Sequence, residues 1–282
     1  MPLRTKKLRT FAVLDSKSPA GKSGYGIWSQ TGQSLRKPSR ITVLVSTQLM
    51  SLQYVDVVFE IIVFLFAISV HESAHAWTAS QHGDPTARML GRVSLNPLRH
   101  IDPMGTVFLP LLAIIMHFPM FGWAKPTPVD PRNFKNPVRD DILTSIAGPI
   151  SNFLIATGAT IGMALIALSS PLGRDLVRVV PQVPASYLDY LAQQTGSPLL
   201  PLTRLLYDAL EINVLLGVFN LIPIPPLDGS HVLRHFLSEP VRRAYDMFGM
   251  VALFLLVFAG GRFIGILFYP VLNLFTSLLT RI

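Results

Sequence analysis

Cysteine is absent from all 282 residues. That excludes disulfides and any thiolate-held metal, so a metal site in this chain has to be built from His, Asp or Glu. Charge is also scarce: 14% of residues are Asp, Glu, Lys or Arg, against 50% hydrophobic. Uncharged apolar stretches recur from Val57 to the C-terminus, more than a soluble domain of this size would carry, and the chain reads as membrane-embedded. Acidic residues are nearly missing from the first forty positions, where Asp15 stands alone against Arg4, Lys6, Lys7, Arg9, Lys17, Lys22, Arg36, Lys37 and Arg40. The remaining chain carries equal numbers of basic and acidic residues. The net charge of +8 therefore belongs to a tail rich in Ser, Gly and Lys, and no nucleic-acid partner is expected. Residues 1–49 read as a disordered basic extension able to meet anionic lipid headgroups, and residues 50–282 as one membrane-embedded domain. Residues 8–14 are too short and interrupted for a signal-peptide core, and Met50 is a candidate alternative start.

The apolar runs predict an all-α integral membrane protein, a polytopic bundle of about five or six transmembrane helices. The first covers residues 57–80, about 36 Å of helix and enough to cross the hydrocarbon core, and breaks at His82-Gly83-Asp84-Pro85. Residues 88–95 alternate as a short strand would, which places a small β element after the first helix. Residues 104–123 are apolar but carry Pro110, His117 and Pro119, as in a short or kinked helix. Residues 142–168 contain no charge and enough small residues for close helix packing. Residues 169–202 read as a proline-rich linker in which Ser186 could cap a short helix. Residues 205–221 form the next helix, ending at Pro223, Pro225 and Pro226. The runs 248–259 and 263–279 flank Gly260-Gly261-Arg262, and periodicity leaves open whether they are two helices or one kinked one.

Polar groups interrupt this apolar background at informative places. His71-Glu72-Ser73-Ala74-His75 matches H-E-x-x-H, in which His at i and i+4 share one helix face and can ligate one zinc. Glu72 borders that face and can take a proton from water. As unpartnered core residues, three ionisable groups within five positions at membrane depth would cost several kcal/mol; a metal removes that cost. Catalytic zinc keeps three protein ligands and an open position, so a third ligand is needed. Asp228, after the proline-broken end of a helix, is the preferred candidate, with Gly229 allowing a tight turn. An ordinary Asp-Gly turn is its bland alternative. His231 and His235 compete for the role, but Arg234 and the lack of a neighbouring Glu favour reading them as surface residues. His100, His117 and Trp77 read as structural. Asn220 is a candidate donor to a substrate carbonyl or oxyanion, or equally a partner for backbone freed by the prolines. Asn152 carries the same ambiguity.

HESAHAW, GDPTARMLGRVSLNPLRHIDPMGT, FGWAKPTPVDPRNFKNP, AGPISN and NLIPIPPLDGS, in this order, resemble the site-2 protease family of intramembrane zinc metalloproteases, in its compact branch. The resemblance covers most of residues 55–237. It implies one zinc ion held by His71, His75 and Asp228, Glu72 as general base, and Asn220 and Asn152 in substrate or transition-state contacts. It also implies membrane-anchored protein substrates cut within or beside a transmembrane segment, in a bacterial cell membrane. No room remains for a PDZ-like insertion or a C-terminal regulatory domain.

On this reading the chain hydrolyses peptide bonds, with Glu72 accepting a proton from zinc-acidified water and returning it to the leaving amine. The β element at 88–95 could pair with an unwound substrate segment. A membrane metal-binding or transport protein would use the same His pair without hydrolysis, and Glu72→Gln separates the two. A catalytically silent scaffold would hold no metal at all.

Overall fold

The computed structural model describes residues 40–108, 112, 123–183 and 185–282. The chain divides into Met1–Val43 and Leu44–Ile282, and everything below concerns the second unit. The basic extension falls chiefly on residues 1–39, outside the described residues, as do His117 and most of the stretch around it.

All regular structure among the described residues is helical. α1 is Arg40–His82, starting earlier than the apolar run because its first turns are rich in polar residues that carry no hydropathy signal. α2 is the single turn Thr86–Met89. A 3-10 turn at Pro97–Arg99 and a π-helical turn at Pro103–Phe108 follow. α3 is Pro137–Ser169, with Pro137 in its first turn, where a missing N–H costs nothing, and Pro149 inside it.

Residues 169–202 are mostly helical and not the linker that their prolines suggest. α4 is Pro171–Val179 and α5 is Ala185–Thr195. Pro171 opens α4 behind Ser170, whose hydroxyl accepts from Gly173 N. Ser186 is the second residue of α5, inside the helix and not at the position before it. α6 is Leu199–Asn220, preceded by Pro198 as its N-cap. These prolines mark helix starts. α7 is Asp228–Arg234, α8 Glu239–Ala259 and α9 Gly261–Thr280. The last two apolar runs are thus two helices meeting at Gly260.

The expected strand at 88–95 is not one. After α2, residues 90–95 run as turns held by side chains and not by a neighbouring strand. Ser73 Oγ on α1 donates to Ser94 O (2.5 Å), Ser94 N donates back to Ser73 Oγ (3.2 Å), and His100 Nε2 donates to Ser94 O (2.8 Å). Arg92 donates to Arg99 O and Pro126 O.

The core joins α3, α4, α6 and α9 through Met163, Ile166, Leu176, Leu210, Val214 and Leu272. A Cβ on Gly162 would touch Leu206 at 3.0 Å, and one on Gly217 would press on the Phe153 ring at 2.9 Å. Small residues therefore set the closeness of α3 and α6. Among the described residues, three segments are long and apolar enough to cross a membrane: Phe59–His82 of α1, Pro137–Ser169 and Gly261–Thr280.

Candidate active site

The H-E-x-x-H helix turns His71 and His75 to the same side of α1, where both are buried. Their Nε2 atoms lie 3.1 Å apart. Asp228, the first residue of α7, brings Oδ2 to 3.1 Å from His71 Nε2 and 3.4 Å from His75 Nε2. α7 can start there because Gly229 has no side chain. A Cβ on it would run into the carbonyl of Leu221 at the end of α6. The glycine thus serves close backbone approach, and no left-handed turn is involved, since its φ is not positive.

The hydrogen bonds around this triangle decide which atoms carry protons. His75 Nδ1 donates to Thr144 O at 2.7 Å, an acceptor that cannot donate. His71 Nδ1 donates to Asn152 Oδ1 at 2.6 Å. Each neutral imidazole has one N–H, so both Nε2 atoms face inward as lone pairs. Asp228 Oδ2 is buried and receives no hydrogen bond. With both histidines neutral, three electron-rich atoms point at one another, an arrangement that a bound cation reconciles. Tetrahedral ligation at ~2.0 Å needs donors about 3.3 Å apart, close to the separations found. The three form the only His/Cys/Asp/Glu group of metal-binding geometry among the described residues.

α3 closes over this triangle at Gly148. A Cβ there would lie within 2.6 Å of His71 Nε2 and closer still to His75 Nε2, so the space beside the donors exists because residue 148 is glycine. Glu72 Oε2 accepts from Thr127 N at 3.0 Å and from Thr127 Oγ1 at 2.7 Å. The segment carrying Thr127 thereby fixes the carboxylate.

Asn152 is fully buried, and both ends of its amide are engaged, Oδ1 by His71 and Nδ2 by Asn213 Oδ1 at 2.8 Å. It supports a ligand from behind. Asn220, at the end of α6, donates to Leu216 O at 3.0 Å, a bond within its own helix. His235 Nε2 lies 2.7 Å from Asp141 Oδ2, with His231 Nδ1 at 3.9 Å from the same oxygen, so these histidines tie α7 to α3 away from the triangle. His100 is buried and holds Ser94. Trp77 is 56% exposed and lines an apolar groove between α1 and α3 with Ile150 and Leu154; it is not a packed core residue. Sequence reasoning missed Thr127, Thr144, Gly148 and Asn213 as parts of the site. The glycine lies in the AGPISN motif, whereas the others act across space and leave no local pattern.

A helical chain with membrane-length apolar segments and a His-His-Asp triangle, its two buried histidines on the first of them and its Asp on α7, defines a membrane metalloprotein of H-E-x-x-H type. The family model for Peptidase family M50 matches residues 59–259, and the chain belongs to that family, the site-2 proteases. It is an integral membrane protein. Among curated proteins it is similar to YwhC of Bacillus subtilis (strain 168), 35% identical over 182 residues, covering 64% of this chain and 70% of that one. It is also similar to Rip2 of Mycolicibacterium smegmatis (strain ATCC 700084 / mc(2)155), 29% identical over 197 residues, 68% of this chain and 63% of that one. Rip2 of Mycobacterium tuberculosis (strain ATCC 25618 / H37Rv) is 28% identical over 213 residues, 73% of this chain and 70% of that one. Each is named as an inferred zinc metalloprotease. No solved structure matches the chain.

Proposed function

We propose that this chain is an intramembrane zinc endopeptidase that hydrolyses peptide bonds within or beside transmembrane segments of membrane-anchored proteins, in a bacterial cell membrane. The observation that carries the reading is the inward convergence of His71 Nε2, His75 Nε2 and Asp228 Oδ2 on an apolar helix. The names of YwhC and Rip2, which describe zinc metalloproteases, agree with zinc as the metal.

His71, His75 and Asp228 would hold the ion. Zinc bound there would supply Lewis acidity toward a substrate carbonyl and water. Glu72 would accept a proton from the attacking water and return it to the leaving nitrogen. Thr127 keeps Oε2 of Glu72 in one orientation meanwhile. Asn220 gives one amide N–H to Leu216 O and has a second to offer a substrate carbonyl. A helical substrate hides its carbonyls in its own hydrogen bonds, so the scissile segment has to unwind before it can bind.

Glu72→Gln is expected to lower cleavage of a reconstituted transmembrane substrate by at least about a thousandfold, as loss of a catalytic group does, with zinc content near one per chain. His71→Ala or Asp228→Ala should lose the zinc as well. Zinc-loaded wild-type protein that cuts no transmembrane substrate would instead identify a metal-binding or transport protein.

A further inference from the structure

Starting at the carbonyl of Ala209, one chain of hydrogen bonds runs through the interior to His71. That carbonyl, on α6, can only accept, and it accepts from Asn213 Nδ2 at 2.8 Å. The bond settles which end of the Asn213 amide is which. Oδ1 then faces Asn152 and accepts from its Nδ2 at 2.8 Å. Asn152 Oδ1 is thereby turned to His71, whose Nδ1 lies 2.6 Å away and must donate to it. With its proton on Nδ1, His71 has its lone pair on Nε2, the atom 3.1 Å from Asp228 Oδ2. Asn213 and Asn152 are 1% and 0% exposed, so water does not offer either a substitute partner.

We propose that Asn213 is a positioning residue for the metal centre. By orienting Asn152 it sets the tautomer of His71, so that Nε2 is offered to the ion without a proton having to move. This rests on the metal reading above and extends it to a residue on a third helix that touches neither ligand nor substrate. Without the Asn213 oxygen, Asn152 can turn over and present Nδ2 to His71. That favours the tautomer with the proton on Nε2, aimed into the donor triangle. Partners at this remove from a metal typically contribute 10–100-fold in affinity.

The test compares Asn213→Leu, which keeps the volume and removes the acceptor, with Asn213→Asp, which presents an acceptor oxygen to Asn152 whether or not the carboxyl is ionised. Zinc affinity of the purified full-length chain in detergent is measured by chelator competition. Asn213→Leu should weaken binding 10–100-fold and shift the visible d–d bands of the cobalt-substituted protein. Asn213→Asp should stay within about threefold of wild type, with unchanged bands. Wild-type affinity in Asn213→Leu, or equal damage in both variants, overturns the proposal. Should Asn213→Leu aggregate, the imidazole ¹⁵N spectrum of zinc-free wild-type protein decides. His71 identified by comparison with His71→Ala should carry its proton on Nδ1, and a proton on Nε2 overturns the assignment. Wild-type protein that binds no zinc would sink the metal reading, whereas zinc binding untouched by Asn213→Leu would sink only the role of Asn213.

Discussion

Gly148 separates helix propensity from site geometry. It lies inside α3, where alanine is favoured over glycine by about 1 kcal/mol. Its missing Cβ nevertheless leaves the space against Nε2 of His71 and His75. Gly148→Ala is therefore expected to give a folded protein that elutes normally in detergent but holds less than a tenth of the wild-type zinc by elemental analysis. Stoichiometric zinc in that variant would show that the donors have room to spare. Which residues the sequence discloses follows from the same distinction between local and spatial constraint. His71 and His75 were legible because helix periodicity alone puts i and i+4 on one face, and Asp228 because a carboxylate behind three prolines is costly in a membrane. Thr127, Thr144 and Asn213 were not, because each meets its partner from an element remote in sequence. Gly229 was singled out for the wrong reason: a turn was expected, and a carbonyl in contact was found.

Among the elements, the connection between α1 and α3 is where sequence and structure part most clearly. Alternation at 88–95 suggested a strand. Its period-2 pattern arises instead from Arg92 and Ser94, whose backbone and side chains bond back to α1 and to neighbouring turns. Asp84, fully buried, anchors this connection. Its carboxylate accepts from Thr86 N (3.1 Å), Thr86 Oγ1 (2.5 Å), Asp130 N (2.8 Å) and Asn133 Nδ2 (2.9 Å). Burial pushes the Asp84 carboxyl upward, but these bonds outweigh it and hold the group below the ordinary carboxylate range. A lowered folded-state value means that its contribution is complete above the ordinary carboxylate range and is lost as pH falls through the folded value. Asp84→Asn sets an amide N–H against donors and should cost about 1–3 kcal/mol, read as a lower Tm in detergent. The difference from wild type should shrink on acidification below about pH 4. Because Asp130 and Thr127 share one segment, proteolysis should fall while zinc content is kept. Equal Tm values at pH 7 would remove Asp84 from this anchoring role.

At the scale of the molecule, α6 is a helix of spanning length that a test of apolar length passes over. It carries Arg204, Asp208 and Glu211 among its 22 residues, which spoils its hydropathy. Asp208 is nevertheless buried, with Arg204 at 2.8 Å from Asp208 and 3.4 Å from Glu60 on α1. Charges paired inside a bundle are hidden from lipid. At about 33 Å, α6 is as able to cross as the helices that pack on it, and α8 at 21 residues has the length too. If α1, α3, α6, α8 and α9 all cross, the lower end of the span count expected from sequence, successive connections alternate between the two faces. That alternation would put the start of α3 and the end of α7 on one side, in keeping with the 2.7 Å His235–Asp141 contact and with Lys135 N donating to His82 O. α4 would then fall on the other side. Because the chain has no cysteine, single substitutions report sidedness directly. In sealed vesicles a membrane-impermeant maleimide should label Arg139→Cys and Ser238→Cys from the same face and Arg178→Cys only from the opposite one. Labelling of all three from one face would mean that α3 does not cross, and the placement of the metal triangle within the bilayer would fall with it.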